Sequence, residues 1–142
     1  MIENVWCVLC KDIVTDSQTN LISYLNCFEG ISVSKLPGNL LPFSIGTLWI
    51  KDSDEVEVLK VRVRSFTPSG TEKELFESQD MEMKKKKHRF NLVIEGFSVN
   101  EEGTYKFMVE YYNKEKWEVV KKLQLGVNIS KKLDNQANVG KA

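Results

Sequence analysis

The chain has 142 residues, and 20 Lys and Arg balance 20 Asp and Glu. Zero net charge argues against a general electrostatic affinity for nucleic acid or anionic membrane. No stretch approaches the roughly 18 apolar residues of a membrane helix, and the length suits one domain able to bury roughly two thirds of its unfolded surface.

The opening MIENVWCVLCKDIV carries an acid and no basic region, and Lys11 and Asp12 break its apolar run, so it does not read as a signal peptide. Alternation of apolar and polar residues predicts a first strand over Val5 to Cys10 and a second over Asn20 to Phe28, with a turn-like DSQTN between them. The stretch SKLPGNLLP breaks the chain with Pro37, Gly38 and Pro42. Phe43 to Ile50 is a third strand, with Trp49 as a candidate core aromatic, and the acidic turn Lys51 to Asp54 ends it.

The clearest alternation is Glu55 to Phe66, where Leu59, Val61 and Val63 share one face and Lys60, Arg62 and Arg64 the other. TPSGTE is a turn, and Leu75 and Phe76 mark a short edge strand. Arg89 to Phe97 places Phe90, Leu92 and Ile94 together; Thr104 to Tyr112 aligns Tyr105, Phe107, Val109 and Tyr111. Trp117 to Val127 is the last strand, read with Trp117, Val119, Leu123, Leu125 and Val127 on one side. Residues 130–142 read as a flexible tail after a single domain over 1–129.

Roughly seven to eight strands at intervals of about ten residues, with no 3.6-residue apolar period, predict an all-β antiparallel β-sandwich, immunoglobulin-like in a broad sense. The stretch NEEGTYKFMV sharpens this. Glu-x-Gly-x-Tyr ahead of a strand has the form of a tyrosine corner, in which the Tyr hydroxyl bonds the backbone just upstream. Gly103 permits a turn closed to most residues. Phe107 stands where an antibody domain has its second cysteine. A plain hairpin turn at Glu101 to Gly103 is the alternative.

The order LCKD, NLISYLNCF, KLPGNLLPFSIGTLWI, VRVRSFTPSG and RFNLVIEGFSVNEEGTYKFMVEYYN is similar to a bacterial family of small uncharacterised proteins, a domain of unknown function, over residues 3 to 128. The resemblance implies a single-domain β-sandwich in the cytosol. It brings no functional residues.

The candidates for chemistry are few. Cys7 and Cys10 spell a CxxC inside a strand, where positions three apart face opposite ways, so packed, reduced cytoplasmic thiols are expected there and at Cys27. The single histidine, His88, reads as an exposed surface residue in a basic run, and a hydrolase would need it beside a nucleophile. Lys84, Lys85, Lys86, Lys87 and Arg89 form a partner-binding candidate: the run can contact phosphates, with Phe90 stacking on a base, or it can pair with Glu72, Glu74, Glu77, Asp80 and Glu82. Tyr112 is a second contact candidate, since Tyr111 and Tyr112 must face opposite sides. Asp52, Asp54 and Glu55 form a calcium candidate if Glu101 and Glu102 lie at the same end.

No cofactor signature is present, and neither is a Gly-x-Ser-x-Gly, a P-loop or a Gly-x-Gly-x-x-Gly. The expected function is therefore a non-catalytic cytoplasmic module that binds protein. Nucleic-acid binding through Lys84 to Arg89 is the alternative, no membrane partner is expected, and an edge-strand homodimer stays open.

Overall fold

The computed structural model describes residues 1–130. Of the expected tail at 130–142, everything after Ser130 lies outside the described residues.

Among the described residues the chain is all-β, with no helix. In chain order the strands are β1 (Ile2–Thr15), β2 (Ile22–Cys27), β3 (Gly30–Val33), β4 (Gly38–Asn39), β5 (Phe43–Lys51), β6 (Glu57–Leu59), β7 (Val61–Phe66), β8 (Glu72–Glu77), β9 (Met81–Met83), β10 (Lys87–Ile94), β11 (Ser98–Val99), β12 (Gly103–Tyr112) and β13 (Trp117–Ile129). The two main sheets run β10-β5-β1-β2 and β3-β13-β12-β7-β8; short ribbons β11-β4 and β6-β9 complete the fold. Neighbours in both main sheets are antiparallel except β3 and β13, which run parallel.

The core lies between the two sheets. Phe43, Ile45 and Trp49 of β5 meet Val61, Val63, Tyr105, Phe107, Val109 and Leu125 of the second sheet. Phe43 touches Phe28, Phe97 and Phe107 edge-on at centroid distances of 5.8, 5.9 and 5.9 Å. The indole N–H of buried Trp49 donates to Thr47 Oγ1 at 2.8 Å, which satisfies its one polar atom. The sandwich thus has the layer predicted from alternation, with an aromatic core in place of an inter-sheet disulfide.

The Gly103 turn is a tyrosine corner. Tyr105 is 1% exposed, and its hydroxyl donates to Glu101 O at 3.0 Å while accepting from the backbone N–H groups of Asn100 and Glu101, each at 3.2 Å. Gly103 holds φ at +126°, with Pro68 packed against its Cα.

Three expectations about strands change. The segment 55–66 is two strands: β6 pairs with β9, and the chain then steps at Lys60 into β7 of the larger sheet. The strands β3, β4, β9 and β11 have two to four residues each, too short for alternation to register. In β13, Val109 pairs with Lys121 but Glu110 pairs with Val119, so Val120 is an extra, bulged residue. One extra residue reverses the parity. Leu123, Leu125 and Val127 face the core, whereas Trp117 and Val119 face outward.

Candidate binding face

The lysine run forms the loop before β10 and the start of that strand, and Lys84, Lys85, Lys86 and Lys87 are all exposed. Its expected acidic partners mostly lie elsewhere. In the β7–β8 register Arg62 stands opposite Glu77, and Phe66 opposite Glu72. Glu72 bonds Arg64, and Glu77 reaches Lys60 at 3.9 Å. Of the block, Glu82 alone pairs with the run among the described residues, 3.8 Å from Lys84. Phe90 turns inward against Phe76 with centroids 5.6 Å apart, so it is not placed to stack on a base. His88 is half-buried rather than exposed, opposite Trp49 in the β10–β5 register. Arg89 lies on the outer face of the first sheet, its guanidinium 5.6 Å from the Trp6 ring and 3.1 Å from Tyr24 Oη.

The acidic turn is committed to charges of its own chain. The Met1 ammonium sits 2.7 Å from Asp52, and Lys86 sits 3.3 Å from Asp54. The ammonium hydrogen bond holds the Asp52 carboxyl below its ordinary range. Glu55 contributes its backbone carbonyl to buried Lys51. Glu101 and Glu102 do not join them: Glu101 accepts from Ser69 N–H after β7 at 2.7 Å, and Glu102 from Ile129 N–H at the end of β13 at 2.6 Å. The β7 and β12 strands separate those contacts from the turn that precedes β6. No cluster of three or more metal-ligating side chains is gathered among the described residues. Calcium raised to millimolar is expected to leave the melting midpoint unchanged; a midpoint that climbs with calcium would restore the site.

The richest constellation lies on the outer face of the second sheet. Alternation in VRVRSF turns Val61 and Val63 inward and Arg62 and Arg64 outward. Glu110 of β12 stands opposite Arg62 and is only 2% exposed. Its Oε2 accepts from Arg62 Nε at 2.8 Å and Arg64 Nε at 2.7 Å, and its Oε1 from Arg64 Nη2 at 2.8 Å. Burial pushes the Glu110 carboxyl up, but the two guanidinium groups outweigh it and hold the carboxyl below its ordinary range. The same carboxylate raises Arg64 further above its ordinary value.

Aromatic rings cap this ion pair. The β13 bulge sends Trp117 outward, where the Arg62 guanidinium lies 4.3 Å from its ring. Tyr112 meets Trp117 edge-on at 5.3 Å, and Lys60 Nζ is 5.8 Å from both rings. A cleft of about 540 Å³ beside them is lined by Val58, Lys60, Glu77, Asp80, Tyr112, Lys114 and Trp117. The two contact candidates, Tyr112 and the lysine run, therefore lie apart: Tyr112 is on the five-stranded sheet, and the run leads into β10 of the other. Tyr111 faces the core, 6.0 Å from Trp49.

Residues 5–124 match the model of a "Family of unknown function (DUF6941)". The chain belongs to this family. The match falls within the 3 to 128 span of the resemblance and carries no activity with it. Curated proteins offer no match. Among solved structures, the crystal structure of a beta-glucosidase from Listeria innocua in complex with gluconolactone is similar at a TM-score of 0.41 and 11% identity. The alignment covers 88% of this chain but 17% of that one, and at this level it carries no argument.

Arg62, Arg64, Glu110 and Trp117 of this face are not among the candidates that the sequence suggested. A signal was present. In FMVEYY, Glu110 shares strand parity with Met108 and Tyr112, on the face opposite Phe107 and Val109, and so faces the same way as the two outward arginines of VRVRSF. Strand pairing then decided that these charges meet.

Proposed function

We propose that the chain is a non-catalytic, cytoplasmic bacterial module that binds a protein partner through the outer face of its five-stranded sheet. The observation that carries this reading is the Trp117–Tyr112 pair held over Lys60 and Arg62 beside an open cleft. Trp, Tyr and Arg are the residues that dominate binding energy at protein interfaces. Here the Glu110 ion pair holds the Arg62 guanidinium below the indole. A preorganised anchor loses less entropy on binding.

The alternative is nucleic-acid binding through Lys84 to Arg89. The observation behind it is that Lys85, Lys87 and Arg89 have no carboxylate partner within 4.0 Å among the described residues.

Paired capture experiments separate the two. Tagged wild type, Trp117→Ala and a variant with Lys84 to Lys87 changed to Ser are used at low and moderate salt. The proposal expects a stoichiometric protein at both salts, reduced more than tenfold by Trp117→Ala and retained by the lysine variant. Nucleic acid that vanishes with salt and with the lysines would overturn it in favour of the alternative.

A further inference from the structure

We infer that Cys10 and Cys27 form a reversible intrachain disulfide when the protein meets a peroxide. The two residues are direct partners in the antiparallel β1–β2 ladder. Phe28 N–H donates to Leu9 O at 3.2 Å, so the inter-strand bonding of the ladder falls on that position. The next pair along, Cys10 and Cys27, is then of the non-hydrogen-bonded kind. Such pairs place their Cα atoms about 4.5 Å apart with side chains on one face. That spacing falls within the roughly 4.4 to 6.8 Å a disulfide spans.

The two thiols divide the chemistry. Cys27 is on the edge strand and exposed, whereas Cys10 is fully buried. Cys27 as thiolate attacks one oxygen of hydrogen peroxide; the O–O bond breaks, the departing oxygen takes a proton and leaves as water, and Cys27 becomes a sulfenic acid. Cys10 then attacks that sulfur. The S–O bond breaks, and hydroxide leaves as a second water with the Cys10 proton. Two electrons pass from the thiols to one peroxide.

Cys7 is the competitor, since it lines the same side cleft as Cys27. It is poorly placed. It lies opposite Thr47 of β5 rather than opposite a β2 residue, and its thiol donates to Asn4 Oδ1 of its own strand at 3.4 Å.

The bond would staple a particular place. Cys10 pairs with Ser44 at the last position where β1 meets β5. Beyond it the hairpin is held by its own ladder and by Tyr24, whose ring lies against Gly46 and 5.0 Å from Trp6. Oxidation closes the hairpin into a covalent loop at that junction.

The test uses full-length reduced protein, treated with hydrogen peroxide and then alkylated under denaturing conditions. Two of the three thiols should escape alkylation, and non-reducing peptide mapping should link Cys10 to Cys27. The melting midpoint should rise by about 10 °C and return with dithiothreitol. Cys7→Ala should keep the link, and Cys10→Ser should leave a Cys27 sulfenic acid trappable by dimedone. A link through Cys7, a link between chains, or a Cys27 sulfinic acid beside an alkylated Cys10 would each overturn the inference.

Discussion

Glu110→Ala is expected to destabilise the protein by about 3 kcal/mol, a drop of about 10 °C in melting midpoint. The carboxylate is buried and receives three charge-assisted hydrogen bonds from Arg62 and Arg64. Its removal leaves two guanidinium groups facing each other across an empty site. Those arginine side chains are 19% and 27% exposed, so water recovers part of the loss, and the figure sits at the low end for a broken buried pair. Glu110→Gln keeps the shape and some acceptor capacity, and should cost about 2 kcal/mol. The pH dependence carries a sign. The folded carboxyl titrates below its ordinary value, so its share of stability is full above about 4.5 and is lost as pH falls through the lowered value. Urea unfolding midpoints for wild type should therefore fall through that acid window more steeply than those of Glu110→Gln. Equal slopes, or a cost under about 1 kcal/mol for Glu110→Ala, would show that the arginines are solvated without the carboxylate.

The same contacts link stability to the proposed face. Arg62 is held from one side by Glu110 and from the other by the Trp117 ring. Loss of the carboxylate frees the guanidinium, and the indole above it loses its cation. Binding should weaken along with folding, by more than the lowered native population explains.

Alternation alone exposed the long strands. VRVRSF and TYKFMV sort themselves into core and solvent residues because each lies in a sheet with one face buried. The breaks were invisible for equally physical reasons. From Leu59 to Arg64 the sequence alternates without a break at Lys60, yet the chain changes sheets there, and Leu59 and Val61 are both fully buried on either side of the step. The β13 bulge likewise leaves no mark in WEVVKKLQLGV; only the partner register reveals that Val120 is the extra residue. That one residue decides whether Trp117 is core or surface, and so whether the proposed face has its aromatic pair. The charge runs misled because proximity along the chain was taken for proximity in space. Strand pairing gave Glu72 to Arg64 and Glu77 to Lys60, and left Lys85 and Lys87 without a carboxylate partner among the described residues.

The tyrosine corner, by contrast, was legible in five letters, and it supplies the second large effect. Tyr105→Phe removes one hydroxyl and nothing else. That oxygen serves Glu101 O and the N–H groups of Asn100 and Glu101, all within the turn that launches β12. A phenylalanine there leaves three backbone groups without their partner, and the expected cost is about 2 kcal/mol. Tyr105→Ala adds the cavity left by a ring packed against Phe97 at 5.9 Å, for a total of about 4 kcal/mol. The difference between the variants separates the corner from the packing. If the hydroxyl were incidental, Tyr105→Phe would unfold at the wild-type midpoint while Tyr105→Ala kept its full penalty. Gly103→Ala offers an independent check on the same turn. A Cβ there would lie 2.8 Å from Pro68 Cβ, at a φ of +126° that alanine rarely adopts. Should both Tyr105→Phe and Gly103→Ala destabilise, the corner is an energetic element of this sandwich. A cost from Gly103→Ala alone would assign the stability to the turn backbone and leave the hydroxyl without a role.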